Sequence, residues 1–170
     1  QIELEPPFLI IKPGVSEEEF YRLAGEDTDW EYLGGRLVMH SPASDRHEDI
    51  FSFLMALFRA FLGERPTAVV RGSRYPMRLD AEWSPEPNLL VVRRERRHIM
   101  TQRRLEGPAD LVVEIASESD QTLDVREKLP RYRAAGIEEI WLVDPFGKEV
   151  LAEVKTPSGY QDTRRSAGRL

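Results

Sequence analysis

The chain contains no cysteine. This excludes disulfides and thiolate metal sites, and fits a reducing, cytoplasmic setting. No apolar run approaches the roughly 18 residues of a membrane span, and no basic segment followed by an apolar one marks a secretory signal. The first residue is Gln1 rather than Met, so the chain reads as a fragment or a processed product. Internal repeats, low-complexity tracts and linkers long enough to divide the chain are also lacking. Nor is there an excess of positive charge: the net charge is −6, which argues against a general nucleic-acid coating protein but leaves room for an acidic metal site with a local basic patch. What remains is 170 residues of ordinary globular composition, the right size for one domain with a sizeable core.

The stretch from Ala109 to Pro145 carries the most information. Leu111 to Ala116 is an apolar strand with one carboxylate, Glu114, in its middle. An unpaired charge in a buried strand costs several kcal/mol, so Glu114 needs a partner or a metal. The helix predicted next places Asp124, Lys128 and Tyr132 at four-residue steps on one face, which makes Lys128 the nearest candidate partner. A second apolar strand, Glu139 to Val143, ends at Asp144-Pro145.

Upstream, residues 1–14 are Pro-rich and read as an irregular or strand-like arm. Ser16-Glu17-Glu18-Glu19 is a capping box opening a short helix that carries Phe20 and Leu23. Trp30 to Leu33 and Arg36 to Met39 flank Gly34-Gly35 as a hairpin. Ser44 or Asp45 caps a helix running to Leu62, with Ile50, Phe51, Leu54, Leu57, Phe58 and Phe61 as its apolar stripe and Gly63 at its end. Thr67 to Arg71, Tyr75 to Leu79 and Leu89 to Val92 read as strands, and Leu151 to Val154 as an edge strand. Arg93 to Arg104 reads as a loop with a short helix, and residues 156–170 as a peripheral polar tail, poorly ordered or docked on a partner. The element order predicts one α/β domain over residues 1–170: a mixed sheet flanked by helices, with an N-terminal helix-hairpin extension.

The chemistry-bearing residues are Glu31 in the hairpin, Glu86 and Asn88 before a central strand, Glu114 in the next, and Lys128 on the helix that follows. Hard divalent cations take one or two carboxylates plus water and phosphate oxygens. A nearby lysine can orient a water or stabilise developing charge on a phosphoryl group. Each residue also has a plainer reading. Glu114 can be a structural carboxylate satisfied by a base, Glu31 a solvated hairpin residue, and Asp124 with Lys128 an i,i+4 surface pair. Tyr132 and Trp141 read as core or interface aromatics, and His47 as a surface or packing residue of the helix.

Taken together, Trp30-Glu31-Tyr32, Gly35-Arg36-Leu37, Ser41-Pro42, His47, Pro85-Glu86-Pro87-Asn88, Leu111 to Ser117, Asp124, Lys128, Tyr132, Gly136-Ile137 and Trp141 through Asp144-Pro145 are similar to the Uma-type endonucleases. These are a branch of the PD-(D/E)XK nuclease superfamily, and the similarity spans roughly residues 16–155. It implies a restriction-endonuclease-like fold, Mg²⁺ or Mn²⁺ as cofactor, DNA as substrate, and a homodimer. By the same resemblance Glu31, position 88, Glu114 and Lys128 are catalytic. The metal ligands are then Asn88, Glu114 and the Ile115 carbonyl, with His47, Glu86 and Asp124 as neighbours. The six arginines Arg93, Arg94, Arg96, Arg97, Arg103 and Arg104 follow the Asn88 strand and are expected at the cleft mouth, holding phosphates. One departure matters: the family pattern has Pro-Asp where this chain has Pro87-Asn88. Asparagine keeps an oxygen but loses the charge, so the alternative is an inactive nuclease fold that binds nucleic acid or a protein.

Overall fold

A computed structural model of the chain describes residues 5–25, 27–63, 66–72, 75–118 and 123–166, without the side chains of Asp124, Val125, Arg165 and Ser166. The N-terminal part contains β1 (Leu9–Pro13), α1 (Glu17–Leu23), β2 (Trp30–Leu33), β3 (Arg36–His40) and α2 (Asp45–Gly63). Next come β4 (Ala68–Gly72), β5 (Met77–Arg78), β6 (Trp83–Ser84), β7 (Leu89–Arg93), a 3-10 helix (Arg94–Ile99) and β8 (Leu105–Glu106). The C-terminal part contains β9 (Leu111–Ile115), a π-helical turn (Asp124–Lys128) that runs into α3 (Leu129–Ala134), then β10 (Glu139–Asp144), β11 (Glu149–Thr156) and β12 (Gly159–Ser166).

The apolar runs of the sequence are the inner strands of a six-stranded mixed sheet, ordered β12-β11-β10-β9-β7-β4. Only β9 and β10 run parallel, as the strand–helix–strand pattern requires; every other pairing in this sheet is antiparallel. Both faces are covered, which explains strands that are apolar on successive residues. On one face Leu90, Val92, Val112, Ile140 and Leu142 pack with Leu129 and Tyr132 of α3. On the other, Leu89, Val91, Val113 and Ile115 meet Ile50, Phe51, Leu54, Met55, Phe58 and Leu62 of α2, and the Trp141 ring lies 5.5 Å from that of Phe58.

A second sheet, β1-β3-β2-β6, makes the N-terminal extension with α1. Ser16 caps α1, its hydroxyl accepting from the Glu19 N–H at 3.1 Å. Gly34 and Gly35 turn the β2–β3 hairpin with φ of +60° and +72°, the left-handed pair that a two-residue turn demands.

Three expectations need correction. Residues 156–166 are not a loose tail: β12 pairs with β11 from Thr156↔Gly159 to Glu149↔Ser166, so β11 is an inner strand. Residues 167–170 and 1–4 lie outside the described residues. Leu57 and Phe61 are not core positions, being 44% and 81% exposed, and with Phe53 they form a stripe along the open side of α2. At about 100° per residue the buried face is centred on Phe51, Phe58 and Leu62, which rotates Leu57 and Phe61 to its margin. The strand expected over Tyr75 to Leu79 is only Met77–Arg78, paired with β8 in a small separate sheet.

Candidate functional site

Glu114 sits on the α3 face of β9, and Glu31 reaches the same point from the second sheet. Between them lies Lys128, at the last position of the π-helical turn. Its Nζ is 2.7 Å from Glu114 Oε1 and 2.9 Å from Glu31 Oε1, and all three residues are at most 3% exposed. One helical turn beyond Lys128, the Tyr132 hydroxyl donates to Glu114 Oε1 at 2.5 Å. Glu31 is held from two further sides. His40 Nε2 is 2.8 Å from its Oε2, and the Glu86 N–H donates to its Oε1 at 2.7 Å.

One lysine therefore faces two carboxylates, and they respond differently. Burial pushes the Glu31 carboxyl up, but Lys128 and His40 outweigh burial and bring it down to about 2. Burial also raises Glu114; Lys128 opposes the rise and the Glu31 charge adds to it, so Glu114 ends above the ordinary carboxylate value. The asymmetry has a structural reason: Glu31 has a second stabilising neighbour in His40 and a backbone donor, whereas the other partner of Glu114 is a neutral phenol. Tyr132 is itself pushed well up, by burial and then by the Glu114 charge.

Glu86 is the third carboxyl of the cluster. Its pKa is raised well above normal, by burial and then by repulsion from Glu31 and Asp29. Its Oε2 is buried without a hydrogen-bond partner. A raised carboxyl is protonated in the folded chain at pH values where the unfolded chain has already ionised. Glu86 therefore costs stability above its ordinary value of about 4.5, and nothing below it, where both states are protonated. Glu86→Gln, which cannot ionise, is thus expected to stabilise the metal-free protein at pH 7, by about 1.4 kcal/mol for each unit by which the folded chain raises this carboxyl. The gain should vanish near pH 4. Urea melts at the two pH values check this; a loss at pH 7 would mean the carboxylate is compensated.

Asn88 has a different set of partners. In register it follows the Leu89↔Val113 pair, which puts it opposite Glu114. Its Oδ1 accepts from the Ile115 N–H at 2.7 Å, and its Nδ2 lies 3.1 Å from His47 Nε2 on the first turn of α2. The backbone donor fixes the amide orientation, so His47 Nε2 is the acceptor and the proton sits on Nδ1. Glu48 Oε1 is 3.5 Å from that Nδ1, too far for a well-formed hydrogen bond, and Nδ1 has no hydrogen-bond partner.

The structure thus brings Glu31, Glu86, Glu114 and Lys128 into one cluster, with Asn88 and His47 beside it. The Asp124 side chain lies outside the described residues. His40 and Tyr132 are members that the sequence reading did not assign to the site. Both carried a signal: Tyr132 stands four residues after Lys128, and His40 is two residues beyond Val38, the strand partner of Glu31, so it shares the face of Glu31. The basic run is not brought to this cluster as a whole. Asn88 precedes the five-residue β7 and Arg93 ends it, so they are about 17 Å apart along it. Arg93 pairs with Glu138, Arg96 with the buried Asp110 at 2.8 Å, and Arg104 with Glu106 at 2.6 Å. Arg104 also covers the Tyr21 ring at 4.3 Å. Asp144 has a local task, accepting from the N–H groups of Phe146 and Gly147 in the β10–β11 turn.

The donor set fits a hard cation in kind. Glu31, Glu86 and Glu114 bring three carboxyl groups together, and Glu86 presents a buried oxygen with no partner. Among the described residues no three acidic or histidine side chains converge to hold a metal alone. Mg²⁺, which keeps several waters, needs only one or two.

Comparison with known proteins gives a consistent picture. A family model, Uma2, described as "Putative restriction endonuclease", matches residues 17–168. No curated protein matches the chain. Among solved structures, the chain is similar to one titled a "putative nuclease belonging to DUF820" from Anabaena variabilis ATCC 29413. The TM-score is 0.75 at 16% identity, covering 92% of this chain and 88% of the other. That likeness shows a shared fold, a restriction-endonuclease-like mixed sheet flanked by helices.

Proposed function

Because the chain belongs to the Uma2 family of nucleases, we propose that it is a divalent-cation-dependent endonuclease acting on phosphodiester bonds in DNA. The observation that carries this reading is the buried Glu31–Lys128–Glu114 cluster, with Glu114 and Lys128 2.7 Å apart although fourteen positions separate them in sequence. Among the described residues no helix is long and apolar enough to cross a membrane.

In this reading Glu114, the Ile115 carbonyl and the oxygen of position 88 hold Mg²⁺ or Mn²⁺, with Glu86 as the neighbouring oxygen. The cation, when bound, polarises the scissile phosphate and the attacking water. Lys128 positions the water and offsets charge on the phosphoryl oxygens. Glu31 acts through Lys128: with His40 behind it, it fixes where the ammonium stands. Tyr132 holds Glu114 from the core side. Of the basic run, Arg94, Arg97 and Arg103 are left to meet phosphates, since Arg93, Arg96 and Arg104 have carboxylate partners. A homodimer remains the proposed assembly.

Asn88 favours a second reading, a nuclease fold that binds nucleic acid or a protein without cutting. Its amide oxygen already accepts from Ile115 and it adds no charge to the site. Metal binding tests the first reading directly. If the affinity is weak, with a Kd of about 1 mM, 10 mM Mg²⁺ stabilises the fold by about 1.4 kcal/mol. The rise in melting temperature should disappear in Glu114→Gln. Thermal melts with Mg²⁺, Mn²⁺ and a monovalent control of equal ionic strength decide it. An identical shift in all three would remove the metal from the site.

A further inference from the structure

We propose that a cavity of about 320 Å³, lined by Arg71, Tyr75, Arg97, Met100, Thr101 and Gln102, is a subsite for the phosphodiester backbone of the nucleic acid. The proposal rests on the nuclease reading and names the residues that would hold the strand beside the cluster. Neither the cluster nor the ion-paired part of the basic run accounts for this cavity.

Its charge runs against the rest of the molecule. The chain carries a net −6, yet among the described residues two guanidiniums and no carboxylate line this cavity. Among the described residues neither Arg71 nor Arg97 is in an ion pair, in contrast to Arg93, Arg96 and Arg104. Arg71 donates one N–H to the Val70 carbonyl at 2.9 Å, which steadies it and leaves its other donors open. Two guanidiniums facing a shared space suit oxyanions with several oxygens, of which a phosphodiester is the kind a nuclease meets. The volume is at the lower end of ligand-sized pockets.

The walls are fixed before anything binds. The Tyr75 hydroxyl shares its one proton between the carbonyls of Thr101 and Arg104, 2.8 and 2.9 Å away, and Thr101 Oγ1 donates to the Arg104 carbonyl at 2.7 Å. The Arg104 N–H donates back to that oxygen at 3.0 Å, and the Met100 N–H closes on the Arg97 carbonyl at 3.0 Å. Ile99, Met100 and Tyr75 pack against the core under α3. Pre-ordered donors lose little freedom when a phosphate arrives.

The position is the third observation. Arg71 pairs with Leu90, which pairs with Val112, so all three side chains share the α3 face with Glu114. Leu90 is two residues from Asn88. Arg71 therefore lies about 7 Å along the strands and two strand spacings, about 10 Å, aside from Glu114. At about 3.4 Å of axial rise per phosphate on one strand, a backbone whose scissile bond lies at Glu114 has a phosphate three or four nucleotides away over Arg71 and Arg97.

The test is the salt dependence of DNA binding, read by fluorescence anisotropy on a labelled 20-base-pair duplex. The proteins are the full chain, Arg71→Ala with Arg97→Ala, the same pair changed to Lys, and Arg22→Ala with Arg59→Ala as a control for net charge. We expect the alanine pair to lower the slope of log K against log salt by about 2, close to 1 per arginine. The lysine pair should keep the slope while binding more weakly, and the control should leave the slope unchanged. Arg71→Gln with Arg97→Gln replaces the alanine pair if the latter melts early. If the control lowers the slope as much as the alanine pair, only net charge is being read and the subsite is refuted. An unchanged slope in the alanine pair refutes it too, while bound and nicked DNA would leave the nuclease reading standing. A full chain that binds no nucleic acid at low salt overturns both.

Discussion

Asn88→Asp is expected to tighten Mg²⁺ binding roughly tenfold or more, by comparison with the 10–100-fold effects of changes one shell further out. The same change should convert a chain with little or no nicking of plasmid DNA into one that nicks measurably. Register places position 88 opposite Glu114 at the mouth of the cluster. The asparagine oxygen already accepts from the Ile115 N–H at 2.7 Å, and aspartate can keep that bond. Aspartate then offers a second, charged oxygen where the amide nitrogen now faces His47 Nε2 at 3.1 Å. His47 must shift its proton to Nε2 to stay bonded, so the swap is sterically small and electrostatically large. Calorimetry measures the affinity, and agarose gels with Mg²⁺ measure the nicking. On the Asn88→Asp background, Glu114→Ala should abolish both metal binding and cleavage. Lys128→Arg should keep DNA binding and lose most cleavage, because a guanidinium cannot place its charge where the ammonium sits. Equal metal affinity in the native chain and in Asn88→Asp would mean that this side chain is no ligand. An Asn88→Asp variant that neither binds nor cuts DNA at any salt concentration would leave only the nuclease fold, put to some other use.

Much of the architecture was legible because it is local. The Gly34-Gly35 turn, the capped helix at Ser16 and the strand–helix–strand from Leu111 to Val143 each carry their signal within a few residues. So does the link between Glu114 and Lys128, since a carboxylate amid apolar strand residues demands a nearby base. What failed depended on tertiary packing or on weak patterns. Strand β12 is polar on both faces, so no alternation announced it, and only its ladder to β11 makes it a strand. Arg93 stands five residues from Asn88 in sequence, but along an extended strand that is separation, not proximity. Arg71 looked like an isolated strand residue; the pairing with Leu90 and the return of the 3-10 helix set it beside Arg97. The contact of Glu31 with Lys128 joins residues 97 positions apart, one on the second sheet and the other on the π-helical turn. No spacing rule reaches that far, which is why resemblance, and not periodicity, pointed to Glu31.

Lys128→Met is expected to destabilise the protein by about 3–5 kcal/mol at pH 7, the range for removing one partner of a buried ion pair. Lys128 is 3% exposed and stands between two carboxylates at 2.7 and 2.9 Å, so its loss leaves Glu31 and Glu114 facing each other with no water to screen them. The sign of the pH dependence follows. In the native chain Glu31 is depressed to about 2, so its contribution is present above its ordinary value of about 4.5 and fades as pH falls toward 2. Without the ammonium both carboxyls are raised by burial and mutual repulsion. The penalty in Lys128→Met therefore acts above the ordinary carboxylate range and disappears as the medium becomes acidic. The gap should be widest at neutral pH, narrow by pH 4, where the raised carboxyls of the variant are protonated in both states, and close only near pH 2, where Glu31 of the native chain is protonated too. Adding Glu31→Gln and Glu114→Gln to Lys128→Met should recover most of the loss at pH 7, because a neutral cluster of similar shape leaves no charge stranded. Urea unfolding of the three proteins at pH 7 and pH 4 measures every term. A loss below about 1 kcal/mol, the size of an exposed pair, with no dependence on pH, would mean that water reaches the cluster and that Lys128 is no buried keystone.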